Sequence, residues 1–270
     1  MTSSSHIAAP DISGRRAPAF GGFNLTALKL EVRRLIRNRR TVIIAIVLPV
    51  VFFFLFGLNK AYANQPAGPG SHGNVSAFVM VSLSLYGAVI ATTFSGAMVS
   101  IERSQGWSRQ LRLTPLSPVA YIIIKIMTAL VLGFCSVAAV NIAGVLANKP
   151  SMPTGIWIGT AFAVWIGSLL FAAFGLFLGY LLPAENVMQL LGLILALLSF
   201  AGGLFIPVSQ FAVGVRDVAK WTPLYGLNQL VHTPLLGNGV DWTWVVNVLA
   251  WLLIFSTGAV WRMRKDTARV

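Results

Sequence analysis

The side chains best placed to act on another molecule are gathered in one polar island, Glu102-Arg103-Ser104-Gln105-Gly106-Trp107-Ser108-Arg109-Gln110-Leu111-Arg112-Leu113-Thr114-Pro115, set between two long apolar runs. One acid and three bases suit electrostatic contact with a polar partner, not the breaking of a covalent bond. An enzyme working at membrane depth would need paired acids, a Ser or Cys beside a base, or clustered metal ligands, and the sequence places none there. Cys135 is the single cysteine, so disulfides and thiolate metal sites within the chain are excluded. His6, His72 and His232 are scattered over the N-terminal tail and two loops, and argue no metal cluster. The chemistry on offer is recognition and mechanical load.

The elements that must position this island are hydrophobic. Of 270 residues, 56% are hydrophobic and 10% charged, a composition that a soluble domain of this size could not keep in solution. A helix needs about 20 apolar residues to cross the hydrocarbon core. Six runs meet or approach that length: residues 41–58, 75–101, 119–146, 156–182, 187–205 and 242–261. Each must be helical in lipid to satisfy its own backbone, so the expected fold is an all-α integral membrane protein of six transmembrane helices. Lys125, near the start of the third run, is expected to snorkel back to the headgroups.

Basic residues are asymmetric about these runs. With both termini inside, the inner side collects most of the Lys and Arg, including Arg37, Arg39, Arg40, Arg103, Arg109, Arg112, Arg262 and Arg264. Only Lys60, Lys149, Arg216 and Lys220 fall outside. The positive-inside rule thus accounts for most of the net charge of +13, and no nucleic-acid partner is needed. Residues 1–24 lack the apolar core of a signal peptide and read as a disordered cytoplasmic tail, and residues 262–270 are expected to form a second cytoplasmic tail. Between the first tail and the first run, residues 25–40 carry two stripes. Leu28, Val32, Leu35 and Ile36 recur at helical spacing, and Lys29, Arg33, Arg37 and Arg40 form a basic stripe, which together predict an amphipathic helix lying on the inner membrane surface.

The fourth run has Gly155, Gly159, Ala163, Gly167, Phe171, Gly175 and Gly179 at intervals of four, a packing seam for a sibling helix or a second copy. Gly87, Ala91 and Ser95 repeat the pattern more briefly in the second. Asn141, Asn247, Gln189, Thr92 and Thr93 are polar at membrane depth, where hydrogen bonding between helices is their usual task. The fifth run ends in Ala201-Gly202-Gly203-Leu204-Phe205-Ile206-Pro207, where glycines loosen the helix and proline stops it. Gly202, Gly203, Phe205 and Pro207 are candidates for an outer gate, with an ordinary helix end and a lipid-facing Phe205 as the alternative. The segment from Val208 to Asp241 contains two apolar pieces too short to cross, expected to be short re-entrant or surface helices.

The order of these features resembles the ABC type-2 transporter permease family. The similarity runs through Arg37-Asn38-Arg39-Arg40-Thr41 to Leu48-Pro49, then Glu102, Gly106, Leu111, Thr114 and Pro115 of the island, then Gly203, Leu204, Phe205 and Pro207, and finally Trp221, Pro223, Leu224 and Tyr225. It covers the chain from about Leu25 onward. Trp107, Arg109 and Ile124 depart from residues common among relatives.

The resemblance implies the membrane-spanning half of an ATP-driven exporter in a bacterial plasma (inner) membrane, with the island as a cytoplasmic coupling helix between spans 2 and 3. Its coupling residues would be Glu102, Arg103, Gln105, Gly106, Trp107, Arg109, Gln110 and Leu111. Trp107 and Leu111 would anchor one face, and Glu102, Arg103, Arg109 and Gln110 would remain free for the partner. The alternatives are a simple interfacial anchor for Trp107 and a helix-end cap for Glu102. The implied partners are a dimeric ABC ATPase, which would bind ATP and Mg, a second copy of the permease or a homologue of it, and the lipid bilayer. No Gly-x-x-x-x-Gly-Lys-Ser/Thr loop occurs here, so no nucleotide cofactor is expected in this chain. Phe, at 17 residues, outnumbers Tyr and Trp together, and the spans hold no deep charge, which suits a lipophilic or amphipathic cargo. The drug- and antibiotic-exporting branch, hence multidrug efflux and antibiotic resistance by a homodimer, leans the same way. Export of a polysaccharide, glycolipid or lipid uses the same architecture, and a passive channel is the remaining alternative.

Overall fold

The computed structural model describes residues 22–106 and 116–268. Among them the regular structure is helical, apart from an isolated bridge between Pro66 and Asn74. Five helices are long and apolar enough to cross a membrane, and a sixth apolar helix is shorter. In chain order the helices are α1 (Leu25–Arg37), α2 (Arg39–Gly57), α3 (Val75–Ser104), α4 (Pro118–Ala147), α5 (Thr154–Leu181), α6 (Val187–Ala201), α7 (Val213–Ala219), α8 (Pro223–Leu236) and α9 (Trp242–Ala268), with α2, α3, α4, α5 and α9 the five long ones and α6 the shorter. Of these, α9 runs seven residues past the expected end at 261, whereas α6 falls furthest short of its expected length. The helix stops at Ala201, about 22 Å after it starts at 1.5 Å per residue, because Gly203 turns into the left-handed region at φ 77°.

The hub of the bundle is α3. In its most apolar stretch 78% of residues are buried, against 11% for α9 at the periphery. The cause is side-chain size, since α3 is built largely from Ser, Ala, Gly and Thr on the faces that meet α4 and α5. A Cβ on Gly175 of α5 would stand 2.2 Å from the Thr93 carbonyl oxygen and 2.8 Å from its Cα, and one on Gly96 would stand 2.7 Å from the Ala172 oxygen. The two backbones therefore touch, which supplies by close packing the drive that lipid removes. The seam of the fourth run is thus divided. Gly175 and Gly179 meet α3, Gly167 meets Leu227 of α8, and Gly155 and Gly159 face open space.

A proline is accommodated in α2 by the same economy of size. Pro49 cannot donate to the carbonyl of Ala45, and the Ser136 hydroxyl of α4 donates to that oxygen instead at 2.6 Å. Gly87 of α3 lies against both residues, where a Cβ would fall 2.2 Å from Ser136 Oγ and 2.8 Å from Pro49 Cγ. Two π-helical stretches, Ile43–Val47 and Phe53–Gly57, flank the proline.

The end of the bundle away from the basic residues is joined by neutral hydrogen bonds. Asn74 caps α3 by accepting from the Ala77 amide at 2.9 Å, accepts from the Ser151 amide at 2.9 Å and donates to Lys149 O at 2.8 Å. Helix α8 is inserted there among α3, α5, α6 and α9. Its Asn228 donates to the carbonyls of Gly202 and Gly203 at 3.1 and 3.0 Å. Sequence placed His232 in a loop, yet it is buried on α8, with Nδ1 2.9 Å from Asn228 O and Nε2 3.1 Å from Ser82 Oγ of α3. An Nδ1–H tautomer satisfies both contacts, donating to the carbonyl and accepting from the serine.

Candidate functional site: a buried charge cluster beneath the polar island

Lys125 is the only charge in the apolar run 119–146, and Glu31 is the only acid in α1. A lysine at this depth demands a counter-charge. The structure supplies two. Lys125 Nζ lies 2.5 Å from Glu102 Oε1 and 2.7 Å from Glu31 Oε2. Arg34 donates to the same Glu102 oxygen at 3.0 Å and stands 3.9 Å from Glu31. The Tyr121 hydroxyl donates to the other Glu102 oxygen, Oε2, and its ring lies 5.3 Å from the lysine nitrogen. Two carboxylates and two cations sum to zero, so the cluster is neutral as a unit.

Three separate elements build it. Glu31 and Arg34, one turn apart on α1, face the bundle because α1 lies along α4 with Leu35 buried and Leu28 and Val32 half-buried. Glu102 comes from the end of α3, and Tyr121 and Lys125, four residues apart, from the first turns of α4. Glu102 and Lys125 are 2% and 3% exposed, whereas the Arg34 side chain retains 42% exposure and opens the cluster to the surface. A void of about 20 Å³ bounded by Glu31, Arg34, Ser95, Glu102, Lys125 and Thr128 has room for one water molecule.

This arrangement corrects three expectations. Lys125 does not snorkel but is held inward, because two carboxylates offer it more than headgroups would. Glu102 is not free for a partner surface; both its oxygens are occupied within the bundle. Its neighbour Arg103 is also held, donating to Gly179 O at 3.2 Å and Tyr180 O at 2.9 Å at the end of α5. Cationic donors satisfy carbonyls left over at a helix C-terminus. The last turn of α3 is thus gripped on two sides.

Beyond it, Gln105 is exposed and Gly106 ends the helix at φ 73° with open space where a Cβ would be. Trp107, Arg109, Gln110 and Leu111 lie outside the described residues, as do residues 1–21 of the N-terminal tail. The basic stripe of α1 and the start of α2, Lys29, Arg33, Arg37 and Arg40, is exposed. Ile36 departs from its assigned stripe and is 53% exposed, pointing away from α4.

At the other end, Phe205 is 36% exposed and packs edge-on to Tyr86 of α3 at 5.1 Å and beside Phe200 at 5.2 Å. Tyr86 also stacks on Phe52 of α2 at 6.4 Å, so aromatic rings from α2, α3 and the end of α6 meet. Gly202 and Gly203 are buried against Leu224 and Val208, and Pro207 is exposed.

Sequence reasoning named Glu102 and Arg103 but missed Glu31, Arg34 and Tyr121 as a group, and misread Lys125. The available signal was the lone acid in a basic helix and the lone base in an apolar one. Among the described residues no group of three or more His, Cys, Asp or Glu side chains could hold a metal ion.

The chain is similar to known proteins over most of its length. A family model described as ABC-2 type transporter matches residues 24–233. The Bacillus subtilis (strain 168) protein named "Putative transport permease YvfS" is 24% identical over 240 residues, spanning 88% of this chain and 96% of the relative.

Proposed function

The chain belongs to the ABC-2 type transporter family, a multi-pass membrane subunit of an ABC transporter that works with an ATPase partner, and from that premise we propose that it is the permease of an exporter for lipophilic or amphipathic small molecules such as drugs or antibiotics. A separate dimeric ATPase, binding ATP and Mg, drives two permease copies in a bacterial inner membrane, with both termini cytoplasmic. The observation that carries the reading is the neutral cluster of Glu31, Arg34, Glu102 and Lys125, which ties α1, α3 and α4 together immediately below the island.

A load applied at residues 102–115 cannot then move α3 alone. It is transmitted through Glu102 to α1 and α4 and through Arg103 to α5, so the basic half of the bundle shifts as a body. Such a body can hold two discrete arrangements, and nucleotide and cargo influence each other only by preferring different ones. Glu102 and Arg103 are positioning residues in this scheme. Direct contact with the ATPase falls to Gln105, Gly106, Trp107, Arg109, Gln110 and Leu111, with α1 and the start of α2 lying on the inner membrane surface through Lys29, Arg33, Arg37 and Arg40. The aromatic contact of Phe205 with Tyr86 and Phe200 serves as the outer gate, with Gly202, Gly203 and Pro207 forming its hinge.

The test is purification of the chain from its native membrane, followed by reconstitution. Co-purification of an ATPase, and ATP-dependent accumulation of a fluorescent amphipathic drug in inverted vesicles, is the expected result. Equal flux without ATP would overturn it in favour of a passive channel.

A further inference from the structure

On the basic half of the bundle, α2, α3 and α6 enclose a groove of about 450 Å³, within the range of small-molecule sites. Apart from Gln189 on α6, its walls are apolar and adaptable, with Ile44, Leu48, Ile90, Phe94, Met98 and Leu195 prominent. Its character changes at one end. There Asn38, Arg40 and Thr41 line the mouth, and among the described residues no Asp or Glu lines any part of the groove. Among the described acids at the basic end, Glu31 and Glu102 are committed to Lys125 and Arg34, and Glu185, exposed in the turn before α6, does not line the groove. Arg40 is exposed and forms no ion pair among the described residues. The Asn38 side-chain oxygen accepts from the Thr41 amide at 3.4 Å, which leaves its amide N–H groups as donors beside Arg40.

Two features of the backbone keep the groove open. Ile44 lies in the π-helical stretch Ile43–Val47, a geometry that re-aims side chains and recurs at functional sites. Gly192 on α6 lines the groove with nothing within 4 Å of where a Cβ would stand. Tyr86, another lining residue, carries the aromatic contact with Phe205.

We propose that this groove binds an amphiphile with an anionic head, a phosphate or carboxylate, and an apolar tail, the head held by Arg40 and Asn38 and the tail laid along α2, α3 and α6 toward Tyr86. The exporter reading enters only in taking this ligand as cargo; binding itself requires no ATPase. The charge of the head follows from the unpaired guanidinium and the missing acids, and its bidentate geometry suits phosphate or carboxylate oxygens.

The experiment measures binding of radiolabelled dodecyl phosphate, dodecyltrimethylammonium and a neutral dodecyl glycoside to the full chain in phosphatidylcholine nanodiscs. Saturable binding of the phosphate, about tenfold tighter than the ammonium compound, is expected. Arg40→Gln should weaken the phosphate about tenfold and leave the glycoside unchanged, while Arg39→Gln, which removes the same charge outside the groove, changes either by less than about twofold. Gly192→Trp should abolish all binding with little change in melting temperature, because a Cβ there meets nothing within 4 Å and the indole extends into the groove. Equal affinity for anion and cation overturns the proposal, as does phosphate binding that survives Gly192→Trp, which would mark general attraction to the basic membrane surface. Either failure leaves ATP-dependent transport untouched as a separate question.

Discussion

The two ends of the bundle are held by different physics. At the basic end four full charges from α1, α3 and α4 meet in a neutral cluster, whereas at the opposite end Asn74, Asn228, His232 and Ser82 join their helices with short, uncharged hydrogen bonds. The charged joint is costly to break by halves, since removing one partner strands the other in low dielectric. The neutral joint degrades gradually, because each bond is replaceable and worth little in a membrane. A joint that must carry force between helices is better built the first way; an end that must open is better built the second.

This contrast is sharpest in its largest consequence. Lys125→Met should cost about 3–5 kcal/mol in unfolding measured in detergent, because Glu31 and Glu102 then face each other with only Arg34 between them. The charge-neutral pair Glu102→Gln with Lys125→Met should recover much of that loss, and a double-mutant cycle would read the difference as a favourable coupling. Simple additivity of the two losses would mean that the residues do not act together.

Next in size is the hub between the two ends. Gly175→Val places methyl groups against the Thr93 backbone and should cost about 1–3 kcal/mol by the same assay, with the α3–α5 distance increased. Retention of full stability would show that the backbones are not in contact. Smaller again is the neutral end. Asn228→Ala removes both bonds to the end of α6 and should cost about 1 kcal/mol, well below the lysine substitution. A loss as large as that of Lys125→Met would erase the distinction between the ends.

The smallest expected change in stability, below about 1 kcal/mol, belongs to Phe205→Ala, which removes one partly exposed ring from the contact with Tyr86 and Phe200. Its functional effect should be larger, a raised basal ATPase rate or solute leak in vesicles. Unchanged basal rates would make Phe205 an ordinary lipid-facing side chain.

What the sequence revealed follows the same division. Helices were legible because apolar length and spacing are local properties, and the Gly202-Gly203 pair was legible as a place where the helix loosens. The charge cluster was not, because its members are up to 94 residues apart, as Glu31 and Lys125 are, and periodicity carries no information across such a gap. Lys125 near a helix start has two physically sound fates, the headgroups or a buried partner, and only the position of α1 decides between them. The length of α6 was overestimated for a related reason: Leu204, Phe205 and Ile206 are apolar enough to continue a span, but Gly203 turns the chain and Asn228 of a distant helix holds the turn.

The central claim, that force reaches the bundle through the buried cluster, is tested most directly by the ratio of cargo transported to ATP hydrolysed in vesicles. The wild-type complex is compared with the Glu102→Gln and Lys125→Met double variant, which remains neutral and folded. The account predicts that hydrolysis persists while transport per ATP falls at least about tenfold. An unchanged ratio in a stably assembled variant would contradict it.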